Sequence, residues 1–295
     1  MKKMLFVINP RSGTQKGKKL LADILSIFNR AEYAVTIHIT AGPGDCAQTV
    51  RTFAPDMDVV VCCGGDGTFN ETVTGVIESG VDIPLGYIPA GSTNDFATSL
   101  NLPTDLLEAA RTIVEGTDYV YDVGKLNDRY FTYVASFGLF TRTSYATNQT
   151  MKNLFGHAAY LLSSITEITR LHSIPMEVTV DGEVIQDNFL FGAVSNSTSV
   201  GGVLALDPHR VDMADGNLEL LLIRPPKNPV ELASCIHKLR TFQYDNRMIT
   251  FRSAQRLQVK NQPGTVWTLD GERFDAPEHL EISNLHHAIR LLQKG

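Results

Sequence analysis

The clearest indication of the fold of this chain is one stretch, Val59-Val60-Val61-Cys62-Cys63-Gly64-Gly65-Asp66-Gly67-Thr68-Phe69-Asn70-Glu71. Its first half is a short apolar run rich in β-branched residues, which predicts a buried parallel strand. The run ends in glycines, which permit a sharp turn, and then passes into a helical pattern. A helix that starts directly after such a turn points its free N–H groups and partial positive charge at the space above it. We therefore expect a phosphate to bind at this turn.

Asp66 lies in the middle of the turn, where a carboxylate would repel a phosphate. A cation or a shell of water between the two would remove this conflict. A plain strand-to-helix turn, in which Asp66 only caps the helix, is the alternative for this motif taken alone.

Residues 1–124 alternate strands and helices around this stretch. Predicted strands lie at residues 5–8, 35–39, 59–63, 84–88 and 118–123, with helices at residues 18–28, 45–53 and 105–114 and after residue 68. Such repeats indicate a doubly wound, mostly parallel sheet, whose ligands bind at the carboxyl ends of the strands. The loops at Asn9, at Thr40 and at residues 64–68 and 91–95 each follow a strand. We expect them to meet at that edge.

After about residue 124 the pattern changes to alternating apolar and polar residues, which predicts an antiparallel β domain of sandwich or barrel type. Asp181-Gly182 between two such runs indicates a tight hairpin. Helical segments at residues 152–171 and 230–239 interrupt the strands, which are predicted at residues 130–134, 176–180, 189–194, 218–223, 257–259 and 265–269. The predicted domains are therefore residues 1–124, joined by the C-terminal segment 285–295, and residues 125–284. The active cleft would lie between them.

Length, charge and cysteine usage limit the function classes. A chain of 295 residues fits two domains. Its net charge of −6 argues against a general nucleic-acid binder. The four cysteines lack zinc-site spacing and predict a reducing cytosol. No apolar stretch approaches the 18 residues that a membrane span needs.

Familiar phosphate motifs do not account for the chain. Residues 13–19 imitate a P-loop, but the second glycine comes one residue early and Lys19 stands where Ser or Thr should bind magnesium. Residues 42–47 match the Gly-x-Gly-x-x-Ala dinucleotide pattern, but the next strand ends at Gly64 without an acid for a ribose. Triad hydrolases and zinc enzymes have no support, because Gly-x-Ser-x-Gly, His-Glu-x-x-His and Cys-x-x-Cys are missing from the sequence.

Four motifs together resemble the diacylglycerol kinase catalytic family, and in particular its soluble bacterial lipid kinases. They are Asn9-Pro10-x-Ser12-Gly13, Gly64-Gly65-Asp66-Gly67-Thr68-x-Asn70-Glu71, Pro89-x-Gly91-Ser92-Thr93-Asn94-Asp95-Phe96-Ala97 and Leu269-Asp270-Gly271-Glu272. The resemblance covers nearly the whole chain in the expected order. It implies an ATP:lipid phosphotransferase with an N-terminal nucleotide-binding α/β domain and a C-terminal β-sandwich. The wider superfamily includes NAD kinases and phosphofructokinases.

The resemblance also implies site residues. The positions that match ATP contacts are Asn9, Pro10, Arg11, Ser12, Gly13, Thr40, Gly64, Gly65, Asp66, Gly67, Thr68, Asn70, Glu71, Ser92 and Thr93. Asp66, Asp95 and Asp122 match acids that hold Mg²⁺ and its water network, which phosphoryl transfer needs for charge neutralisation. Glu272 matches the family's general base. Such a base is needed because a lipid hydroxyl must lose its proton as it attacks. Taken alone, Asp122 could be a strand-end cap and Glu272 a hairpin residue.

A second, structural Mg²⁺ site is implied at Asp212, Asp215 and Asn217. The Asp215 carboxylate would bind together with the backbone carbonyls of the other two residues. An Asx-turn around Asp215-Gly216 is the alternative.

The sequence contains no signature that identifies the acceptor. Diacylglycerol is expected from the resemblance, while sphingoid bases and phosphatidylglycerol stay open. An NAD or sugar kinase and a nucleotide sensor without turnover are two further hypotheses. The expected partners are ATP and a lipid substrate, with no nucleic acid and with a homodimer left open. The expected location is cytoplasmic, peripheral to the inner face of the cell membrane, through residues 139–142, 151–155 or 237–240 unless these form ordinary core helices.

Overall fold

The chain divides into two compact units. The computed structural model describes residues 1–139, 173–200 and 204–294. One unit comprises Met1–Val123 and His286–Gly295, and the other comprises Gly124–Leu285. The first is built on parallel strands with helices, and the second on antiparallel sheets. The predicted fold class is confirmed.

The first unit alternates strands and helices. Its strands are β1 (Lys2–Ile8), β2 (Tyr33–Ile39), β3 (Val59–Gly64), β4 (Pro84–Pro89) and β5 (Thr117–Leu126), the last of which continues into the second unit. Its helices are α1 (Lys16–Lys19), α2 (Leu21–Arg30), α3 (Asp45–Phe53), α4 (Asp66–Ser79), α5 (Asp95–Ser99) and α6 (Leu106–Glu115).

The sheet of this unit is parallel, with strand order β2-β1-β3-β4. The last strand of the chain, β18 (His279–Gln293), adds its C-terminal end beside β4, where Leu291 lies opposite Leu85. From Met4 to Ile8, strand β1 is buried on both faces, as the apolar run of a central parallel strand requires. On one face Phe6 packs edge-on against Phe28 of α2, with 5.5 Å between ring centroids.

The helix predicted at residues 18–28 is divided into α1 and α2 at Leu20, whose φ of −97° and ψ of 9° are not helical. A tight contact accompanies the break. A Cβ on Gly17 would lie 2.8 Å from the sulfur of Cys63, so α1 is held directly against the end of β3.

The described part of the second unit contains two large antiparallel sheets and a small two-stranded one. Its strands are β6 (Arg129–Phe131), β7 (Val134–Gly138), β8 (Ile174–Val180), β9 (Glu183–Phe189), β10 (Phe191–Ser195), β11 (Ser199–Val200), β12 (Leu204–Ala205), β13 (Leu218–Ile223), β14 (Ile249–Ala254), β15 (Arg256–Lys260), β16 (Val266–Leu269), β17 (Glu272–Asp275) and the first part of β18. Its described helix is α7 (Pro229–Arg240), which begins after the cap residue Asn228. The helix predicted at residues 152–171 lies outside the described residues.

The two large sheets enclose one core and so form the predicted sandwich. One has the order β18-β15-β8-β9 and the other β14-β13-β10-β7-β16-β17. Val178 and Leu257 of the first sheet share a buried cluster with Phe137, Leu220 and Trp267 of the second. The predicted Asp181-Gly182 turn joins β8 to β9 with positive φ at both residues.

The outer face of the six-stranded sheet is also covered. Leu221 of β13 and Phe251 of β14 share a second buried cluster with Leu206, Val211 and Leu239, the last of which lies on α7. Strand β13 is therefore buried on both faces throughout its length. A polar side chain on the outer face of β13 is therefore buried as well.

Candidate active site

Two of the predicted loops meet at the carboxyl edge of the parallel sheet through Asn9, which directly follows β1. The backbone N–H of Asn9 donates to the Cys63 carbonyl at 2.9 Å, and its side-chain amide donates to the Thr68 hydroxyl at 2.9 Å. Its Oδ1 accepts the Arg11 N–H at 3.0 Å, which folds the next residues back over the strand end. This residue therefore connects the loop after β1 to the Gly-Gly-Asp-Gly turn.

Glycine makes the close approach of the loops achievable. A Cβ on Gly91 would lie 2.6 Å from the Cα of Gly65, and one on Gly13 would lie 2.4 Å from the carbonyl oxygen of Ala90. Gly13 also has a φ of +49°, which a side chain rarely adopts. The loops after β1, β3 and β4 thus pack backbone against backbone, and any larger residue would separate them.

Helix α4 begins in the middle of this loop cluster. Its N-cap is Gly65, which has no side chain to bond the free N–H groups of the first turn. Asp66, Gly67 and Thr68 form that turn, at the N-terminus of a helix of 14 residues. Free N–H groups and the helix dipole together suit a phosphate, as the sequence predicted.

Two of the predicted magnesium acids lie in adjoining loops. The Asp66 carboxylate accepts a hydrogen bond from the Phe96 N–H at 3.4 Å. Asp95, the residue before Phe96, is the first residue of α5 and only 2% exposed. The Phe96 ring packs on that of Phe69 from α4, with centroids 4.7 Å apart. The structure therefore brings the loops of Asp66 and Asp95 together on a packed aromatic base.

Asp122 has a different environment on β5. Its side chain is fully buried, and its Oδ1 accepts the backbone N–H of His287 at 2.7 Å and lies 3.0 Å from Nδ1 of His286. The ligand atoms of these three residues lie within 4.8 Å of one another, which is close enough to hold a metal ion. The described bonds of Asp122 attach it to the last strand, and its predicted magnesium role stays a prediction.

Other predicted ATP contacts have structural bonds of their own. The Glu71 carboxylate accepts the N–H groups of Gly44 at 2.8 Å and Cys46 at 3.2 Å, so it stabilises the start of α3. The Thr40 N–H donates to the Ile8 carbonyl at 3.0 Å, which aligns the ends of β2 and β1. Asn70 is half-buried on α4.

The remaining predicted contacts lie on the surface of the loops. Arg11, Ser92 and Thr93 are exposed, while Pro10 and Ser12 are partly exposed. The exposed guanidinium of Arg11 supplies positive charge next to the glycine loops.

Asn94 is a residue that sequence reasoning did not single out. Its Oδ1 accepts the Gly91 N–H at 2.9 Å and its amide donates to the Gly91 carbonyl at 3.1 Å, which closes the loop after β4. Its φ of +54° is left-handed, a conformation that asparagine tolerates. An Asn three residues after a Gly in a turn is the sequence signal that could have identified it.

Glu272, the predicted general base, lies on a hairpin in the second unit. It is the first residue of β17, and its side chain is 62% exposed. The turn residues Asp270 and Gly271 have φ of +48° and +83°, as the Asp-Gly pair requires. The guanidinium of Arg129 approaches the Glu272 carboxylate to 4.0 Å. The carboxylate is therefore accessible to a substrate.

Asp270 holds this hairpin in place. Its carboxylate accepts four hydrogen bonds, from the N–H and hydroxyl of Thr132 at 2.6 and 2.8 Å and from the N–H groups of Tyr133 and Val134 at 3.0 Å each. Burial raises the pKa of Asp270, and the four bonds oppose that shift because they favour the charged form. Sequence reasoning treated this residue only as part of a turn.

The turn before β13 contains the acids predicted for the structural cation. Asp212 accepts the Ala214 N–H at 3.0 Å and Asp215 accepts the Asn217 N–H at 2.8 Å. The Asn217 carbonyl accepts the Asn284 amide at 2.8 Å, which leaves that oxygen its second lone pair. These are the bonds of an Asx-turn, and they leave carboxylate and carbonyl oxygens available to a hard cation.

Glu219, two residues after this turn, was missed by sequence reasoning. It is fully buried, and neither carboxylate oxygen has a hydrogen-bond partner in the described part of the chain. Burial, and after it the charge of Asp215, raise the pKa of Glu219 to about 8. The sequence predicts only a strand at residues 218–223, and the burial of Glu219 could not be read from it because Leu206, Val211 and α7, which cover that face, lie elsewhere in the chain.

The predicted membrane contacts are described only in part. Residues 140–142 and 151–155 lie outside the described residues. At the end of α7, Leu239 is 2% exposed and belongs to the buried cluster, so it offers no apolar surface. In the parts of the chain that the structure describes, no helix combines the length and apolar character that crossing a membrane requires. All four cysteines are buried and free.

Comparison with known protein families gives two matches that together cover most of the chain. Residues 3–126 match the model described as diacylglycerol kinase catalytic domain. Residues 133–292 match the model described as YegS C-terminal NAD kinase beta sandwich-like domain. The first match contains the glycine loops and the second contains the Glu272 hairpin.

Individual relatives agree with these matches over nearly the full length. The diacylglycerol kinase of Bacillus subtilis (strain 168) is 31% identical, with 99% of this chain and 96% of that protein covered. The diacylglycerol kinase of Staphylococcus carnosus (strain TM300) is 32% identical, with 76% and 73% covered. A crystal structure of a diacylglycerol kinase from Bacillus anthracis str. Sterne shares the fold, with a TM-score of 0.75 at 21% identity and coverage of 99% and 97%. The chain therefore belongs to the diacylglycerol kinase catalytic family, a family of kinases.

Proposed function

We propose that this kinase transfers the γ-phosphate of ATP to the hydroxyl group of diacylglycerol and so forms phosphatidic acid. The observation that carries the proposal is the packing of the loops at Gly13, Gly65 and Gly91 around the N-terminus of α4. Without a Cβ at these positions, backbone N–H groups can approach phosphate oxygens closely. Diacylglycerol is inferred as the acceptor because the similar curated proteins are named for it.

Glu272 is proposed as the general base. Its carboxylate is exposed at the start of β17, while the neighbouring Asp270 is buried and engaged in four hydrogen bonds. In this assignment Glu272 accepts the proton of the lipid hydroxyl as the oxygen attacks the γ-phosphate. Asp270 acts as a positioning residue, because it fixes the turn from which Glu272 projects.

Mg²⁺ is proposed as the cofactor that accompanies ATP. Asp66 and Asp95 would hold it near the phosphates, and the oxygen-rich turn at Asp212, Asp215 and Asn217 fits a second ion because hard cations prefer such ligands. When bound beside ATP, Mg²⁺ neutralises phosphate charge and orients the γ-phosphate. The N–H groups of α4 and the exposed Arg11 would contact the phosphate oxygens directly.

The lipid acceptor implies that the enzyme works at a membrane surface as a peripheral protein. This association, a cytoplasmic location at the inner face of the cell membrane and a homodimer stay predictions.

The test is an acceptor screen with radiolabelled ATP. Diacylglycerol vesicles, total lipid extract, NAD and a soluble metabolite mixture are compared at equal enzyme concentration. We expect the label in phosphatidic acid. NAD is included because the C-terminal match is to an NAD kinase-like sandwich. Label in NAD or in a sugar would refute the lipid assignment, and label in a different lipid of the extract would refute diacylglycerol alone.

A further inference from the structure

Three residues that offer metal ligands meet where the chain leaves the first unit and where it returns. Asp122 is the next-to-last residue of the segment Met1–Val123, and His286 and His287 are the first two residues of the segment His286–Gly295. They lie on β5 and β18, which pair with each other in the sheet. The cluster therefore connects the two pieces of chain that make up this unit.

Contacts to one carboxylate oxygen hold the cluster together. Oδ1 of Asp122 lies 3.0 Å from Nδ1 of His286 and accepts the backbone N–H of His287 at 2.7 Å. The Asp122 side chain is fully buried, whereas the His286 ring is 52% exposed and His287 is exposed as well. The cluster thus has a buried, fixed side and a side that an ion can reach from solvent.

The placement of the second ring is not explained by these bonds. Consecutive side chains on a strand normally point to opposite faces. The rings of His286 and His287 instead stack, with centroids 3.6 Å apart and 29° between the ring planes. His287 has a φ of +52°, a left-handed conformation that is uncommon outside glycine. This local departure from extended backbone brings both rings to the same side, where each offers a nitrogen near the Asp122 carboxylate.

The spacing of the three donors matches a metal site. One ligand atom from each residue lies within 4.8 Å of the other two. Zn²⁺ binds imidazole nitrogen and carboxylate oxygen at about 2.0–2.2 Å, which places neighbouring ligand atoms about 3.0–3.5 Å apart. The distance of 3.0 Å between Nδ1 of His286 and Oδ1 of Asp122 already lies in this range. Rotation of the exposed rings would bring the third donor to the same ion.

We propose that Asp122, His286 and His287 form a binding site for a divalent metal ion of the zinc class. Imidazole ligands suit Zn²⁺, Ni²⁺ and Cu²⁺, whereas Mg²⁺ prefers oxygen. The ion would replace the proton between Asp122 and His286, and His287 would supply the third ligand. Bound there, it would tie β5 to β18 and so stabilise the first unit.

This site goes beyond the proposed function and does not depend on it. The family resemblance relates Asp122 to Mg²⁺ and assigns no role to either histidine.

The test measures Zn²⁺ binding by the full chain, without nucleotide and without a polyhistidine tag. Titration calorimetry and thermal melting are run with Zn²⁺, with Mg²⁺ and with EDTA for the wild type, His286→Gln, His287→Asn and the double variant. Asparagine is chosen at position 287 because it tolerates left-handed backbone. His279→Gln is the matched control, since it lies on the same strand and its side chain is 76% exposed.

We expect Zn²⁺ to raise the melting temperature of the wild type and of the control equally, because a ligand of the folded state stabilises it. Each single variant should bind Zn²⁺ at least about tenfold more weakly, a loss seen even for residues that only support a metal ligand. The double variant should show no Zn²⁺-dependent rise. Its melting temperature in EDTA should stay near that of the wild type, since both altered side chains are exposed. The response to Mg²⁺ should be the same in all of these proteins.

Three outcomes would overturn the proposal or part of it. A melting temperature that Zn²⁺ leaves unchanged in the wild type, or raises equally in the double variant, would exclude the site. A histidine variant that loses the response to Mg²⁺ and keeps the response to Zn²⁺ would contradict the metal class. Asp122→Asn with wild-type affinity for Zn²⁺ would remove the carboxylate from the ligand set. No measurement contains ATP or lipid, so a failed acceptor screen beside intact Zn²⁺ binding would refute the proposed function alone.

Discussion

At the scale of single residues, the roles that could be predicted belong to residues in a short local motif. Asp66 and Glu272 stand in short glycine-containing motifs, so the sequence alone indicates them. The role of Asp270 in holding the Glu272 hairpin could not be predicted, because its hydrogen-bond partners lie 136 to 138 residues earlier in the chain. Glu219 was hidden for a similar reason: the segments that bury it come from elsewhere in the sequence.

Asp270→Asn should destabilise the protein by about 1–3 kcal/mol, because an amide NH₂ would then face backbone N–H donors and leave one unsatisfied. Asp275→Asn on the same hairpin is the control. Its carboxylate is 74% exposed and bonds only to Arg273 in the described structure, so we expect a change within about 0.5 kcal/mol. Urea denaturation followed by circular dichroism measures both. Equal stabilities of the two variants would contradict the positioning role.

Asp45 gives a pH-dependent prediction. The Ala41 N–H, and after it His38, lower the pKa of Asp45 below its ordinary value of 3.8. Because the folded state favours the ionised form, this contribution to stability is fully present above about pH 4. It is lost as pH falls through the lower pKa of the folded state. Asp45→Asn should therefore be less stable than the wild type near neutrality, with the difference shrinking below about pH 4. A difference that stays constant through acid titration would contradict this assignment.

At the scale of elements, local periodicity predicted best where packing agrees with it. Helix α3 begins and ends where the pattern indicated, and β13 does so as well. The strand predicted at residues 130–134 is instead interrupted. The backbone N–H groups of Thr132 and Tyr133 donate to the Asp270 carboxylate and not to a neighbouring strand. A contact between distant segments decides that break, so no window of local sequence contains the information.

Gly91→Ala tests whether ATP binding depends on the close packing of the loops after β3 and β4. Its Cβ would meet the Gly65 Cα at 2.6 Å, so the loops after β3 and β4 must separate. Overpacking of this kind costs about 1–3 kcal/mol, and we expect ATP affinity to fall by about tenfold in calorimetry. Gly42→Ala is the control, because a Cβ there meets nothing within 4 Å. It also tests the Gly-x-Gly-x-x-Ala alternative, which predicts the larger loss for Gly42→Ala.

At the scale of the whole molecule, the family was predictable because four motifs occur in order along nearly the whole chain. The two-part fold followed from the change between helical and alternating patterns near residue 124. The acceptor could not be predicted in this way. Recognition of a lipid depends on the shape of an apolar surface assembled from many segments, and no short motif encodes it.

The central claim is that this enzyme phosphorylates a lipid hydroxyl with Glu272 as base. Its most direct test is the steady-state rate of phosphatidic acid formation from ATP and diacylglycerol vesicles, for the wild type and Glu272→Gln. Glutamine keeps the shape of the side chain but cannot take the proton, so kcat should fall by about 10²–10⁴ while the KM for ATP stays near the wild-type value. A Glu272→Gln enzyme that forms phosphatidic acid at the wild-type rate would contradict the claim.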